Sequence, residues 1–261
     1  MDRVGPYRGP ADVPARAHVY VERLDDAVTI ESDDGHHLSR VRRLRAAEMV
    51  TAADGYGRWR QYVVERVDGG AVTIRATADF AHEPHLVPAL TVAFALTKGE
   101  RPELAVQKLT ELGADEIVLV RSARSIVRWD DEREDHALDR LRRVAREAGA
   151  QSRRARLPTI DGPVAVAELI GRPGLVLADH DGVGSGDLPV PPDGRWVVAV
   201  GPEGGFDDAE LDAFGDVPRL AVGSFVLRAE TAAIGAAAAL AWRRSASRSV
   251  THVTPAEPRC E

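Results

Sequence analysis

Arg195-Trp196-Val197-Val198-Ala199-Val200 runs directly into Gly201-Pro202-Glu203-Gly204-Gly205-Phe206. Further on, Arg219-Leu220-Ala221-Val222 runs into Gly223-Ser224-Phe225-Val226-Leu227-Arg228-Ala229-Glu230-Thr231. Each apolar run reads as a short buried strand, and each loop leads into a helical pattern. Two strand-to-helix loops at one edge of an α/β sheet are where such sheets hold small ligands. Neither loop ends in Gly-Lys-Ser/Thr and neither carries G-x-G-x-x-G, so a ligand held mainly by its phosphates is not expected. The glycines permit close backbone approach, and Asp207 with Glu210 forms a D-x-x-E capping box for the next helix. Read alone, this loop is equally an ordinary turn before a capped helix; the second loop tips the balance towards a cofactor site.

Upstream the same alternation continues. Leu90–Leu96 is a continuous apolar run of the kind buried on both faces of a parallel sheet. Pro102–Leu112 reads as a helix with Gly113 beyond its end, and Glu116–Val120 as the strand completing a βαβ unit. Asp131–Ala148 reads as a charged helix closed by Gly149, Val164–Ile170 as a short helix, and Leu175–Ala178 as a strand. An α/β domain over 90–244 is therefore expected. Residues 1–75 look different: Ala17–Val21, Ala27–Ile30, Tyr62–Val67 and Ala71–Arg75 are strand-like, Asp68-Gly69-Gly70 is a hairpin signal, and Gly35–Arg45 is a short helical candidate. These imply a small β-barrel domain, joined through a linker at 76–89. The polar stretch 245–261 reads as a disordered tail. The run Ala232-Ala233-Ile234-Gly235-Ala236-Ala237-Ala238-Ala239 has so little side-chain bulk that a close backbone approach is expected there, within the chain or between subunits.

With 261 residues, 44% of them hydrophobic and 29% charged, the chain can bury a core. Its net charge of −7 argues against a uniformly basic nucleic-acid coat, although the arginines are clustered. The single cysteine, Cys260, excludes disulfides within the chain and cysteine–metal clusters. No segment resembles a signal peptide or a membrane span, so a cytoplasmic protein without membrane or metal is expected.

Taken in order, several motifs resemble the RsmE-type 16S rRNA uridine-N3 methyltransferases of the SPOUT superfamily. They are Thr97-Lys98-Gly99-Glu100-Arg101, Gln107–Gly113, Arg124-Ser125, Gln151–Arg154, Gly201–Gly205 and Leu227–Ala232, together with Gly35–Leu44 near the N-terminus. The resemblance implies a PUA-like β-barrel RNA-binding domain, then an α/β SPOUT-type domain with a C-terminal trefoil knot. It implies S-adenosylmethionine as cofactor, a homodimer, and 16S rRNA in the small ribosomal subunit as partner. The cofactor is then expected at Leu177, Ala178, Gly201, Glu203, Gly204, Gly205, Leu220, Val222, Gly223, Val226 and Leu227. Where the family commonly has Pro-Arg after Gly223, this chain has Ser224-Phe225, which removes a cation from that loop.

Uridine N3 bears an imide proton that must leave as methyl arrives. Arg228 is the candidate for charge stabilisation or phosphate positioning, and Glu230 for proton transfer. N3 lies on the Watson–Crick edge, so the base must be unpaired or flipped out. His36, Arg40, Arg42, Arg43, Lys98, Arg124, Gln151 and Arg154 are the candidate RNA contacts; the alternative for such clusters is a solvated helix face with arginines paired to nearby Asp and Glu, which suits Arg140, Arg142 and Arg143. Two other functions fit the same residues less well: methylation of another RNA target such as a ribose 2′-hydroxyl, and non-catalytic RNA binding in ribosome assembly.

Overall fold

The computed structural model describes residues 9–250 except Lys98, Glu100, Ile126, Arg128, Asp130 and Pro192. The described residues form two compact units. One takes residues up to His85 together with Asp135–Thr159; the other takes Leu86–Glu134 and the chain from Ile160 onward.

The first unit is built on a six-stranded sheet. Strands β1 (Ala17–Tyr20), β2 (Ala27–Ile30), β3 (Met49–Ala53), β4 (Arg58–Asp68) and β5 (Ala71–Ala76) lie in the order β1-β3-β4-β5-β2, and β6 (Ala81–His82) pairs with β4. The β4–β5 hairpin turns through Gly69 and Gly70, whose φ values of 59° and 99° match a two-residue turn open mainly to glycine or asparagine. The segment read as a linker thus contains a strand, and Phe80 beside it lies under the guanidinium groups of Arg58 and Arg60 at 4.6 and 4.7 Å. The short helical candidate at 35–45 is shorter and earlier than expected. Helix α1 (Ser32–His36) passes into a π-turn over His37–Val41, and Arg43 follows in the left-handed region at φ 52°. The unit's core is Val19, Leu38, Leu44, Val50, Tyr62, Val72 and Ile74 with their neighbours.

The second unit holds a six-stranded sheet in the order β12-β10-β11-β7-β8-β9. Its strands are β7 (Ala89–Ala95), β8 (Glu116–Arg121), β9 (Thr159–Ala165), β10 (Leu175–Val183), β11 (Arg195–Val200) and β12 (Arg219–Leu220). Every neighbouring pair from β12 to β8 is parallel. Central β7 is buried from Leu90 to Ala95, as a parallel strand covered on both faces must be. Helix α2 (Arg101–Glu111) ends at Gly113, φ 85°, as its sequence indicates.

Four expectations are corrected here. The charged helix α3 (Asp131–Ser152) runs through Gly149. A Cβ at Gly149 would stand 2.5 Å from the Tyr20 hydroxyl and 2.7 Å from Leu157, so this glycine serves packing, and the chain turns at Arg153, φ 57°. From Asp135 the helix also belongs to the first unit, not to the α/β domain that the 90–244 boundary assigned it to. Val164–Ile170 is no helix: β9 runs to Ala165, then a 3-10 turn spans Val166–Glu168. Pairing with β8 overrides local propensity there, and Gly162 approaches the Leu119 carbonyl closely enough to leave no room for a Cβ (2.4 Å). Helix α5 (Ala229–Val250) extends into the stretch read as a tail; residues 251–261 lie outside the described residues. Arg244 on α5 is buried and donates to the Gly113 carbonyl at 3.0 Å, an internal anchor that a polar composition conceals.

Candidate active site

The carboxyl ends of β10, β11 and β12 open into a cavity of about 310 Å³. Its walls are mainly apolar, with Leu177, Val200, Leu220, Val222, Val226 and Leu227 joined by Phe206 and Phe225, while Asp179 and His180 also line it. Ala178, Gly201, Gly205 and Gly223 supply stretches where main-chain polar atoms stand uncovered by bulk. Nine of the eleven residues expected to hold a cofactor therefore line one cavity. Glu203 and Gly204 do not: the Glu203 carboxylate pairs with Arg101 at 2.6 Å, and the Gly204 carbonyl accepts from Arg124 at 2.9 Å.

The glycine loop is held from both sides. Asp207 caps helix α4 (Asp208–Phe214) by accepting from the Glu210 amide at 2.8 Å, while Glu210 accepts from the Asp207 amide at 2.9 Å. The second Glu210 oxygen accepts from the Ala123 amide at 2.8 Å, joining the loop to the end of β8. Arg124, expected at an RNA surface, donates to both the Gly204 and Phe206 carbonyls and so is occupied in fixing this loop. Behind it Phe206 meets Phe214 edge-on at 5.0 Å, and a Cβ at Gly201 would stand 3.2 Å from the Phe206 ring.

Helix α5 closes the cavity from below. Ala233, Ala236, Ala237 and Leu240 are fully buried, and a Cβ on Gly235 would lie 2.4 Å from Cγ1 of Val222. The close approach expected from the small-residue run is thus made within the chain, against the cavity wall itself. Ala229 and Ala232 line the cavity, and Arg228 and Glu230 flank Ala229. Arg228 is exposed and its guanidinium makes no ion pair among the described residues. Glu230 is 5% exposed; Oε1 lies 3.6 Å from Arg101 Nε, and Oε2 has no hydrogen-bond partner among the described residues. A buried carboxylate oxygen left unpaired is costly and is a common mark of a working group.

Sequence reasoning missed Arg101, which bridges Glu203 and Glu230 across the site, and the Asp179–Arg219 pair beside Ala178. No sequence spacing connects these partners; only Arg101's place in the Thr97–Arg101 motif hinted at it. Of the RNA candidates, Arg42 and Gln151 line a separate cavity in the first unit, whereas His36, Arg40, Arg43 and Arg154 do not. Arg40 and Arg43 are exposed, and Arg154 offers its carbonyl to His18 and Tyr20. Lys98 lies outside the described residues.

Family comparisons agree with this geometry. Residues 84–241 match the model of an RNA methyltransferase domain and residues 30–77 that of an RNA methyltransferase PUA domain. The ribosomal RNA small subunit methyltransferase E of Mycobacterium bovis is 37% identical, over 88% of this chain and 94% of its own length. The chain belongs to the ribosomal RNA small subunit methyltransferase E family. A second member, from Bacillus subtilis, is 25% identical over 85% of this chain and 93% of its own. Among solved structures, a family member from Neisseria gonorrhoeae bound to S-adenosyl methionine superposes with a TM-score of 0.76. It is 26% identical and covers 86% of this chain and 96% of its own. A methyltransferase from Legionella pneumophila in complex with bound SAM gives a TM-score of 0.77 at 27% identity, covering 90% and 98%. A PUA-like unit with an α/β methyltransferase unit is therefore the architecture of this family member.

Proposed function

We propose that this protein transfers the methyl group of S-adenosylmethionine to N3 of one uridine in the 16S RNA of the small ribosomal subunit. The observation that carries the reading is the mainly apolar, glycine-bordered cavity at the strand ends, with a buried half-paired carboxylate on the helix that closes it and, just before that helix, an arginine without an ion pair among the described residues. The cavity suits the proposed cofactor: its volume lies at the small end of the ~300–1,000 Å³ usual for compact ligands. Leu177, Leu220 and Leu227 can sandwich an adenine, and the Gly201–Gly205 and Gly223 main chain can read its polar edge.

Once bound, the cofactor supplies an electrophilic methyl group on a sulfonium. The protein must then align N3 and exclude water, and the aliphatic walls serve the second task. Uridine N3–H must lose its proton as the N–C bond forms. Glu230 Oε2, unpaired and buried, is the proposed acceptor, and Arg101 holds the other oxygen of that carboxylate. Arg228, on the solvent side, neutralises charge developing on the uracil ring or fixes the adjoining phosphate.

Three further features belong to the same proposal. The α/β unit carries a C-terminal trefoil knot. The enzyme works as a homodimer in the cytoplasm; Phe225 and Val226, 82% and 93% exposed at the cavity mouth, are apolar surface of the kind a second copy covers. Residues up to 75 act as an RNA-binding domain, with Arg40, Arg42 and Arg43 contributing phosphate contacts.

The test is methyl transfer from labelled cofactor to small ribosomal subunits lacking the modification, followed by mass spectrometry of the nucleosides. N3-methyluridine at one position supports the proposal. A 2′-O-methylated nucleoside would move the target, and no transfer despite RNA binding would make the chain an assembly factor.

A further inference from the structure

The first unit holds a cavity of about 690 Å³, larger than the one assigned to the cofactor. Its floor is β1, with Tyr20 and His18 meeting edge-on at 5.3 Å, and its apolar walls include Leu38 and Ala150. One face of α3, bearing Arg143, Arg146, Glu147, Ala150 and Gln151 at helical spacing, forms the opposite side. Arg146 is committed to the framework: it donates to the Tyr20 carbonyl at 2.7 Å and to Asp34 at 3.2 Å, with its guanidinium 5.3 Å from the Tyr20 ring centre.

Arg42 and Arg143 also line the cavity, and their side chains form no ion pair among the described residues. Arg42 arrives by an unusual route, directly after the π-turn His37–Val41 and before left-handed Arg43. Both are irregularities that proteins keep chiefly where a side chain must be re-aimed. Three arginines face three carboxylates, Glu31, Asp34 and Glu147, so the lining is formally neutral. A neutral lining is a poor track for a run of phosphates. It does suit one nucleotide: an aromatic and aliphatic floor for a base, an exposed amide at Gln151 for its Watson–Crick edge, Arg42 and Arg143 for its phosphate, and the Glu31 and Glu147 carboxylates, which form no ion pair among the described residues, for ribose hydroxyls or amino groups.

We propose that this cavity is a second nucleotide-binding site, which takes one unpaired base of the RNA substrate separately from the base that is methylated. The proposal rests on the reading of the chain as an RNA enzyme. It explains how an acidic protein selects one place in a large RNA: an extrahelical base is captured by shape and stacking.

The test compares binding of the full-length protein to a labelled single-stranded RNA hexamer of mixed sequence and to an abasic ribose-phosphate hexamer of the same length. The base-bearing hexamer is expected to bind roughly tenfold more tightly, the gain from stacking one base. Ala150→Leu, which narrows the cavity, should erase most of that preference. Arg143→Gln, an exposed position safe for folding, should weaken both hexamers about threefold. A 4-thiouridine hexamer should photocrosslink to peptides containing Tyr20 or His37. Equal affinity for the two wild-type hexamers, or crosslinks confined to the α/β unit, would overturn the proposal. If cofactor binding and methyl transfer persist in that case, only this inference fails; if both are absent, the enzyme reading fails with it.

Discussion

The two cavities are made from different materials. The α/β cavity is bounded by three consecutive strand ends and one helix, and its walls are mainly apolar, with glycines at its border and Asp179 and His180 at one side. The cavity of the first unit is walled by side chains that meet only because α3, more than a hundred residues along the chain, packs beside β1. The first kind of site tolerates side-chain variation that keeps small residues small, since glycines and a capping box hold its shape. The second depends on long-range latches. His18 is one of them: its Nδ1 accepts from the Thr51 hydroxyl at 2.8 Å, and its Nε2–H donates to the Arg154 carbonyl at 2.9 Å. Arg153 is another, donating to the Val13 and Ala15 carbonyls.

This contrast implies that variants in the α/β cavity should change chemistry or cofactor affinity while leaving stability nearly intact. The largest effect is expected from Glu230→Gln, which keeps the shape but removes the proton acceptor. Turnover on ribosomal subunits should fall at least ~100-fold. Calorimetry with S-adenosylmethionine should show affinity within about threefold of wild type, as expected for a group that acts on the transition state alone. Undiminished turnover would leave Glu230 as a structural residue.

Variants in the first unit should act through stability and its pH dependence. Burial lowers the His18 pKa from 6.5 to about 4, with the Arg153 charge adding to the effect and the bond to the Arg154 carbonyl opposing it. The unfolded chain therefore takes up a proton below pH 6.5 that the folded one refuses until about pH 4. The resulting stabilisation is complete above pH 6.5 and is lost as the pH falls towards 4. It is worth at most ~3 kcal/mol over that window. Denaturant titrations from neutral to acid pH should show this slope in the wild type and a flatter one in His18→Gln; parallel profiles would remove His18 from the account.

A smaller effect should come from Gly235→Ala. Alanine ordinarily stabilises a helix interior by ~1 kcal/mol over glycine. Here the new methyl meets Val222 at 2.4 Å and pushes it into the cavity, so cofactor affinity should drop roughly tenfold with little change in melting temperature. Unchanged affinity would mean that Val222 is not a wall of the cofactor site.

How much of this was readable beforehand follows the same division. The Gly69-Gly70 hairpin, the Asp207/Glu210 box, the Gly113 helix end and nine of the cavity residues are local patterns, and the sequence displays them. The role of Gly149 was not readable, because a packing glycine and a helix-ending glycine are the same letter until Tyr20 is seen against it. Strand β9 was hidden because its pairing with β8 outweighs its own propensity. Arg124 looked like a surface cation and no pattern singled out Arg244, yet each satisfies buried or loop carbonyls far away in sequence. Clustering of arginines alone could not separate these from Arg42 and Arg143, which form no ion pair among the described residues.

The assignment of the two cavities is tested most directly by a crystal structure of the full-length protein with S-adenosylmethionine. The account predicts the adenine between Leu177, Leu220 and Leu227, with the Gly201–Gly205 main chain at its edge and the first unit's cavity free of cofactor. Cofactor seated against Tyr20 and α3 instead would contradict it.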